Sequence, residues 1–572
     1  MNNFLKLYKL ILQIFFFYYF IFTTSGITLE KIYTGQSLSN YFSGVVALNS
    51  NQYEESYNFL KKNENLENTH STYSRAYIKS LINSSKINEA YRYANILKKK
   101  NFNFFQSDIL IISKFIKNEN FDNAYNYLTS TNKNDYNPLQ NLINQIVLSW
   151  VKIEKFKLNI IEAEAVFETL DPKFKNIKEI NNVFLNCYFD NKNTQIKFDN
   201  LINNKATNFS RYNFFYANYL LKKNLPYKAN LILDKTLKSN PRNLLLNQLK
   251  LDINNEKRNP LQNTFDCQNI SNIIAELFYI SANALSSQSL YSVSNFYVNL
   301  AKYLNQNFYS YNSLLAENFM MLEDYKKAKK IYYVLQKSGE FYNWHSSKQI
   351  AMIKVEEKKI NEAVQVMEKS FKKLKKPSFY QIYDFAYFLK NNKEFEKSIK
   401  YYSILIEKIS QSHELYARAT DGRGIAFERV GDWKKAERDF LNSLKAKPNQ
   451  AYVLNYLAYS WIEKGVNIER SLKMLERANK IKANDGYITD SLGWALFKLK
   501  KYDEAMKYLQ LAVMLMPSDP IVNDHYGDVL WMNGKKIQAR YYWEYVLNLD
   551  EAEKDLKELV TTKIINGPSQ LF

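Results

Sequence analysis

The chain has 572 residues, of which 46% are hydrophobic, and it contains only 13 Gly and 10 Pro. This composition supplies a large core and few turns, so we expect long helices with short connections. The formal net charge is +21, but the lysines are spread along the whole chain. That spread argues against a nucleic-acid partner. The densest basic stretch, residues 369–376, is typical of a solvated helix end, with peripheral contact to an anionic membrane or glycan as the functional alternative.

Residues 1–26 have the pattern of a secretory signal peptide. Lys6 and Lys9 precede an apolar run from Leu10 to Phe22, and the small residues that follow offer a cleavage site. The run is shorter than the roughly 20 residues that a membrane-spanning helix needs. The sequence therefore predicts export to the periplasm with cleavage of the signal. The alternative is an uncleaved segment that anchors the chain in the inner membrane.

The N-terminal half carries weak copies of a helix-pair repeat in which small residues recur. Residues 27–136 hold degenerate copies, and residues 137–205 fit the frame worst and are expected to form irregular helices. Residues 206–275 hold a clearer copy, with Ala217 and Ala229 at the small positions, followed by a linker. We therefore expect repeats in this half, interrupted by one irregular segment.

Residues 276–550 carry the clearest copies, and the last two are offset by 34 residues. The positions that take small residues or a helix-ending proline are Gly424, Ala436, Ala458, Gly493, Ala505, Pro517, Gly527 and Ala539. Two antiparallel helices approach closely only where side chains are small, and proline cannot continue a helix. The pattern predicts an all-α fold, a solenoid of helix-turn-helix tetratricopeptide repeats (TPRs) wound into a right-handed superhelix. Residues 551–572 are predicted to form a capping helix and tail.

Three runs in the last third resemble a family of exported bacterial TPR proteins. They are YVLNYLAYSW from Tyr452, DGYITDSLGWAL from Asp485 and VNDHYGDVLW from Val522. The similarity is strong over residues 415–550 and weaker back to about residue 275. The resemblance implies that the chain binds a protein partner, and it names none.

The first helix of each TPR lines the concave groove, and helical spacing places several of its residues on one face. In three C-terminal repeats the candidate partner-binding residues are Tyr452, Asn455, Tyr459, Tyr487, Asp490, Trp494, Asp524, Asp528 and Trp531. Aromatic rings give a large contact area, and carboxylates can hold a basic or amide-rich segment. For Trp494 and Trp531 a place in the core is the equal alternative. For Asp490, Asp524 and Asp528 the equal alternative is that they cap helices or form hydrogen bonds to neighbouring loops.

Catalytic and metal-binding patterns are missing from the sequence. Cys187 and Cys267 stand far apart in no metal-like spacing, and the four histidines are scattered, so we predict neither metal nor cofactor. A structural disulfide is the less favoured interpretation of the two cysteines. No nucleophile–base motif or phosphate-binding glycine pattern is present, so we predict that the chain is not an enzyme.

The predicted function is a protein-binding scaffold or adaptor in the bacterial cell envelope that recruits a protein or peptide through its concave groove. One alternative is a periplasmic, chaperone-like receptor for unfolded envelope proteins. The other is a cell-wall or polysaccharide-binding module, which the aromatic groove and the positive charge support weakly.

Overall fold

The computed structural model describes residues 34–63, 71–131, 133, 135–204, 210–255 and 264–568. The predicted signal peptide and the last four residues of the predicted tail lie outside the described residues. Within them the chain forms 30 α-helices, one 3₁₀ helix and no β-strand, which confirms the all-α prediction. The chain divides into two units, residues 1–353 and 354–572. This division falls inside the predicted array of residues 276–550.

The helices of the first unit follow one another with short connections. They are α1 (Gly35–Asn49), α2 (Tyr53–Lys61), α3 (Ser71–Asn83), α4 (Ile87–Lys99), α5 (Phe105–Lys117), α6 (Phe121–Ser130), α7 (Pro138–Phe156), α8 (Ile160–Glu168), α9 (Lys175–Tyr188), α10 (Thr194–Asn203), α11 (Tyr212–Lys222), α12 (Pro226–Ser239), α13 (Leu244–Asn254), α14 (Ile270–Ser287), α15 (Tyr291–Leu304), α16 (Ser310–Met321) and α17 (Tyr325–Leu335). The 3₁₀ helix is Pro172–Phe174, and α18 (Glu340–Glu356) crosses the division between the units.

The second unit continues the same pattern of antiparallel neighbours. Its helices are α19 (Ile360–Lys372), α20 (Phe379–Asn391), α21 (Phe395–Lys408), α22 (Tyr416–Arg429), α23 (Trp433–Ala446), α24 (Ala451–Glu463), α25 (Ile468–Ile481), α26 (Gly486–Lys498), α27 (Tyr502–Leu515), α28 (Pro520–Met532), α29 (Lys536–Leu547) and α30 (Lys554–Asn566). The helix α30 lies within residues 551–572, the segment expected to form a capping helix and tail.

A left-handed residue turns the chain between the two helices of each pair, and Asn467 adds a second one between α24 and α25. In the first unit these residues are Asn51, Ser85, Glu119, Lys157, Asp190, Asn224, Ser289 and Glu323. In the second unit Lys358, Lys393, Gly431, Gly465, Lys500 and Gly534 hold the equivalent places. A positive φ favours glycine, so the turns with Lys or Glu are hard to find from sequence.

Within residues 137–205, which were expected to form irregular helices, the described residues form two such pairs. They are α7 with α8 and α9 with α10. Each pair has a left-handed residue at its turn, Lys157 in the first pair and Asp190 in the second. These helices depart from the repeat spacing because their lengths differ: α7 has 19 residues and α8 has nine.

Small residues lie where paired helices cross, as packing requires. A Cβ added to Gly493 would meet Leu509 Cγ at 2.6 Å, and one added to Gly527 would meet Trp543 Nε1 at 2.3 Å. A Cβ added to Gly424 would meet Phe440 Cε1 at 2.8 Å. The alanines predicted for the same role are fully buried: Ala436, Ala458, Ala505 and Ala539. Pro517 follows the C-cap of α27, and its carbonyl accepts a hydrogen bond from Asn523 Nδ2 at 2.9 Å.

In the second unit the first helices of successive pairs contact one another. Such contacts join α20 to α22, α24 to α26, and α26 to α28. These helices therefore line the inner face of the second unit, while the second helices of the pairs lie behind them.

The first unit folds back on itself. The helices α14 and α15 pack against α3, α5 and α7, which are the first helices of the N-terminal pairs. Tyr53 Oη donates to Ser292 Oγ at 3.1 Å, and Lys117 Nζ donates to the Tyr303 carbonyl at 2.5 Å. The face that an open solenoid would expose is thus covered here by the chain's own helices.

Two further links hold this first unit together. Arg211 at the start of α11 donates to both carboxylate oxygens of Glu276 at 2.6 and 2.8 Å and to Ser310 Oγ at 2.6 Å. Cys187 on α9 forms a disulfide with Cys267, which precedes α14. The sequence interpretation of the two cysteines is therefore corrected, because the fold-back brings together residues that are 80 positions apart.

Candidate partner-binding groove

The inner face of the second unit contains a cavity of about 420 Å³ between α22, α24, α26 and the start of α28. We call it the groove. Its lining combines aromatic rings, amides, hydroxyls and charges: Glu428, Arg429, Trp433, Asn455, Tyr456, Tyr459, Ser460, Glu463, Lys464, Tyr487, Asp490, Ser491, Asp519, Ile521 and Val522. A cavity of this size accommodates a few side chains of a partner.

Helical spacing and two N-caps position the groove residues. Asn455 and Tyr459 are four residues apart on α24, so both side chains project from the same face. The Asp485 side chain accepts from Ile488 N at the start of α26, and the Asp519 side chain accepts from Val522 N at the start of α28. These caps fix where the two helices begin and thereby place their first turns at the edge of the groove.

Three predicted residues offer polar groups to the groove that have no hydrogen-bond partner in the described part of the chain. Tyr459 is half-buried, and its hydroxyl has no internal acceptor or donor. The Asn455 amide makes no internal hydrogen bond, and its Oδ1 is buried. Tyr487 is 61% exposed, and its hydroxyl also makes no hydrogen bond to a described residue. These groups leave hydrogen-bonding capacity for a ligand.

Two tyrosines of the groove, Tyr456 and Tyr459, have raised pKa values. Burial, and then the carboxylate of Glu428, raise the pKa of Tyr456 to about 12. Burial and the nearby charges of Glu463 and Asp490 likewise raise the pKa of Tyr459. Tyr456 Oη donates to Glu428 Oε2 at 3.0 Å, so this carboxylate is held at the groove wall.

Tyr452 is 56% exposed but lies outside the groove lining. Its hydroxyl donates to Asp485 Oδ2 at 3.0 Å and accepts from Lys482 Nζ at 2.7 Å. The structure thus engages this predicted contact residue with neighbouring side chains at the junction of α24, α25 and α26.

Asp490 and Trp494 belong to a buried cluster rather than to an open surface. Nδ1 of His525 lies 3.0 Å from both carboxylate oxygens of Asp490. Trp494 stacks on the His525 ring at 3.9 Å between centroids, and its Nε1 donates to Glu463 Oε1 at 2.7 Å. Burial alone would lower the pKa of His525, but the charge and hydrogen bond of Asp490 raise it overall. With Trp494 only 7% exposed, the interpretation of this residue as core describes its place better.

The capping helix covers the remaining three predicted residues. Lys563 on α30 donates to both oxygens of Asp524 and to Asp528 Oδ2, each at 2.8 Å, and all three residues are buried. Trp531 is half-buried, and the C-cap Gly567 of α30 contacts its ring. At this end of the inner face α30 supplies the counter-charge and the cover, and contact of these three residues with a partner stays a prediction.

Neither a metal centre nor a membrane span is found where the chain is described. Within those ranges, no cluster of three or more His, Cys, Asp and Glu side chains is arranged to hold an ion. None of the described helices combines the length and the apolar character needed to cross a bilayer.

Comparison with known proteins agrees with the repeat assignment. The tetratricopeptide repeat family model matches residues 291–552, the part of the chain from α15 to α29. A TPR repeat-containing protein of Pseudomonas aeruginosa is 28% identical over 176 residues, which are 30% of this chain. The match spans 28% of that relative's length.

Solved structures of repeat proteins are also similar. The APC/C hetero-tetramer Cut9–Hcn1 is 14% identical with a TM-score of 0.35, covering 92% of this chain and 96% of the matched one. YrrB, described as a TPR protein with an unusual peptide-binding site, is 18% identical with a TM-score of 0.28. That match covers 35% of this chain and 99% of YrrB.

Proposed function

We propose that the chain is a non-catalytic scaffold whose groove in the second unit binds a segment of a protein partner. The observation that carries this proposal is the set of uncommitted polar groups of Asn455, Tyr459 and Tyr487 around one cavity. The TPR match over residues 291–552 includes every helix that lines this cavity.

The chemistry of the groove fits an extended peptide. Amide and phenol groups can pair with backbone N–H and C=O groups, and the aromatic rings give apolar contact. Glu428, Glu463 and Asp519 line the groove with Arg429 and Lys464, while the charge of Asp490 is paired with His525. The groove is thus slightly acidic within a chain of formal charge +21, and it favours a segment with basic or amide side chains.

Site-specific photocrosslinking tests the proposal. A photoreactive phenylalanine analogue is placed at Tyr459 or at Tyr487 in the full-length protein, expressed in its native cell. A matched control carries it at Tyr541, which is 66% exposed on α29, the second helix of its pair. We expect a crosslinked partner from the two groove positions and none from Tyr541.

The crosslinked products also separate the functional classes. One product at a fixed ratio supports an adaptor, and many unfolded clients at the same positions support the chaperone-like receptor. Crosslinks that form equally at Tyr541, or only there, refute the groove. Crosslinking of cell-wall glycan from the groove positions, with no protein product, would support the polysaccharide-binding alternative instead.

We also propose that the chain is exported to the periplasm and works in the cell envelope. The apolar run from Leu10 to Phe22 supports this, and so does the disulfide between Cys187 and Cys267, because disulfides persist in oxidising compartments. Cell fractionation with thiol alkylation provides the test. A cytoplasmic protein whose two cysteines both react with the alkylating reagent without prior reduction would contradict this location.

A further inference from the structure

The first unit contains a second cavity, of about 780 Å³, between α4, α5 and α15. It exists because α15 folds back onto the N-terminal helices. We call it the basic pocket. Its charged lining consists of Lys86, Arg92, Lys114, Lys117, Lys302 and Glu89. Five cations therefore face one carboxylate, although the cations come from helices far apart in sequence.

Internal partners leave most of this charge uncompensated. Neither Arg92 nor Lys302 makes an ion pair or a hydrogen bond to any residue that the structure describes. Lys86 has a 3.6 Å contact with Glu54 and lies over the Tyr57 ring, and Glu89 already accepts a hydrogen bond from Tyr57 Oη at 2.9 Å. The charge of the pocket is thus free to meet a ligand.

Two of these cations, Lys302 and Lys117, lie in surroundings that disfavour their charge. Burial lowers the pKa of Lys302, and burial followed by the charge of Lys114 lowers the pKa of Lys117. Lys117 is also fixed in place, with its Nζ 4.1 Å from the Tyr303 ring centroid. The five cations outnumber Glu89, the one carboxylate of the lining, so the arrangement favours an external anion.

We propose that the basic pocket binds a phosphorylated sugar, either free or as the headgroup of a lipid. The planar guanidinium of Arg92 can pair with two phosphate oxygens, and the lysines add point charges around the same group. Asn88 and Gln306 line the pocket with amides that can pair with sugar hydroxyls. A volume of about 780 Å³ is large enough for a sugar with more than one phosphate group.

Isothermal titration calorimetry of the full-length protein tests the proposal, with glucose 1,6-bisphosphate as the charged probe and glucose as the uncharged one. The pocket variant combines Arg92→Gln, Lys114→Gln and Lys302→Gln. A matched control combines Lys369→Gln, Lys372→Gln and Lys375→Gln, which removes the same charge from the second unit. We expect saturable binding of the bisphosphate at one per chain, weakened at least ten-fold in the pocket variant and less than two-fold in the control.

Vesicles that carry a phosphorylated glycolipid distinguish the two sources of the ligand. Binding of vesicles that is lost in the pocket variant, without binding of the soluble bisphosphate, assigns the pocket to a lipid headgroup. Soluble binding alone assigns it to a free sugar phosphate. Saturable binding of neither probe, or equal weakening in both triple variants, overturns the proposal.

A single substitution keeps the test valid if the triple variant unfolds. Lys302→Met removes the unpaired cation while keeping an apolar stem of similar length. We expect the ligand-free protein to melt at a higher temperature and to bind the bisphosphate more weakly. A lower melting temperature with unchanged binding would mean that Lys302 serves packing, and it would overturn the proposal. Because this pocket lies in the first unit, these results are independent of the groove in the second.

Discussion

Lys563 is the cation that holds the capping helix α30 against α28, and its removal gives a direct test of the energetics of this end of the second unit. Its three charge-assisted hydrogen bonds, each at 2.8 Å, connect it to Asp524 and Asp528. Replacing it by Met preserves most of the side-chain volume and leaves two buried carboxylates without a cation. Removing one partner of a buried ion pair typically costs about 3–5 kcal/mol.

This cost depends on pH because Asp528 can take up a proton. Burial and the neighbouring charge of Asp524 raise the pKa of Asp528 to about 7. At pH 5 this carboxyl is already neutral in the folded protein, so Lys563→Met leaves a single buried charge unpaired. At pH 8 both carboxylates are charged, and the loss of stability is greatest.

Hydrogen exchange read by mass spectrometry is the appropriate assay, since repeat arrays open locally rather than as one unit. We expect the amides of α30 to exchange at least 100-fold faster in Lys563→Met at pH 8, the equivalent of about 3 kcal/mol. Amides of α20 and α22 serve as the internal control and should keep their protection. A second variant that adds Asp524→Asn and Asp528→Asn should recover much of the lost protection. Unchanged exchange in α30 at both pH values would refute the reasoning.

The remaining predictions concern pH, packing and the disulfide. The pKa of Asp528 is raised on folding from 3.8 to about 7, so the free energy of unfolding is highest below about pH 4 and falls as pH rises toward 7; Asp528→Asn should flatten this pH dependence of chemical denaturation. Gly493→Ala should cost about 1–3 kcal/mol of unfolding free energy because of the clash with Leu509, whereas Gly35→Ala, which meets no atom within 4 Å, should be neutral in the same thermal melts. Cys187→Ser with Cys267→Ser should destabilise the first unit by up to about 4.5 kcal/mol, the chain-entropy value for a closed loop of this length, and a reducing agent should then have no further effect on the variant's denaturation curve.

Most of the C-terminal fold is predictable from sequence because a repeat encodes contacts between neighbours. The small residues Gly493 and Gly527, the interhelical alanines and the capping helix all follow from local spacing and steric size. The candidate groove is predictable only in part. Asn455, Tyr459 and Tyr487 line the cavity, and their contact with a partner stays a prediction. The same helical register also selected Asp490 and Trp494, which are buried because His525 packs on them from the next repeat.

Sequence reasoning missed groups whose role depends on residues far away in the chain. Nothing in the local pattern of α4, α5 or α15 signals that their lysines share a pocket. A lone Lys563 in an amphipathic helix likewise gives no sign of its two aspartate partners. The turn residues Lys393 and Glu323 also escape detection, because neither residue type signals a left-handed conformation.

The sequence by itself determined the helical class, the repeat register and the residues at which paired helices cross, since these depend on side-chain size and spacing along a single helix pair. Only the tertiary structure decided that α14 and α15 cover the N-terminal first helices, that Cys187 meets Cys267, and that α30 closes one end of the inner face. The physical reason is that small rotations between successive pairs add up along the chain. Their sum, rather than any local signal, determines which distant side chains and charges meet.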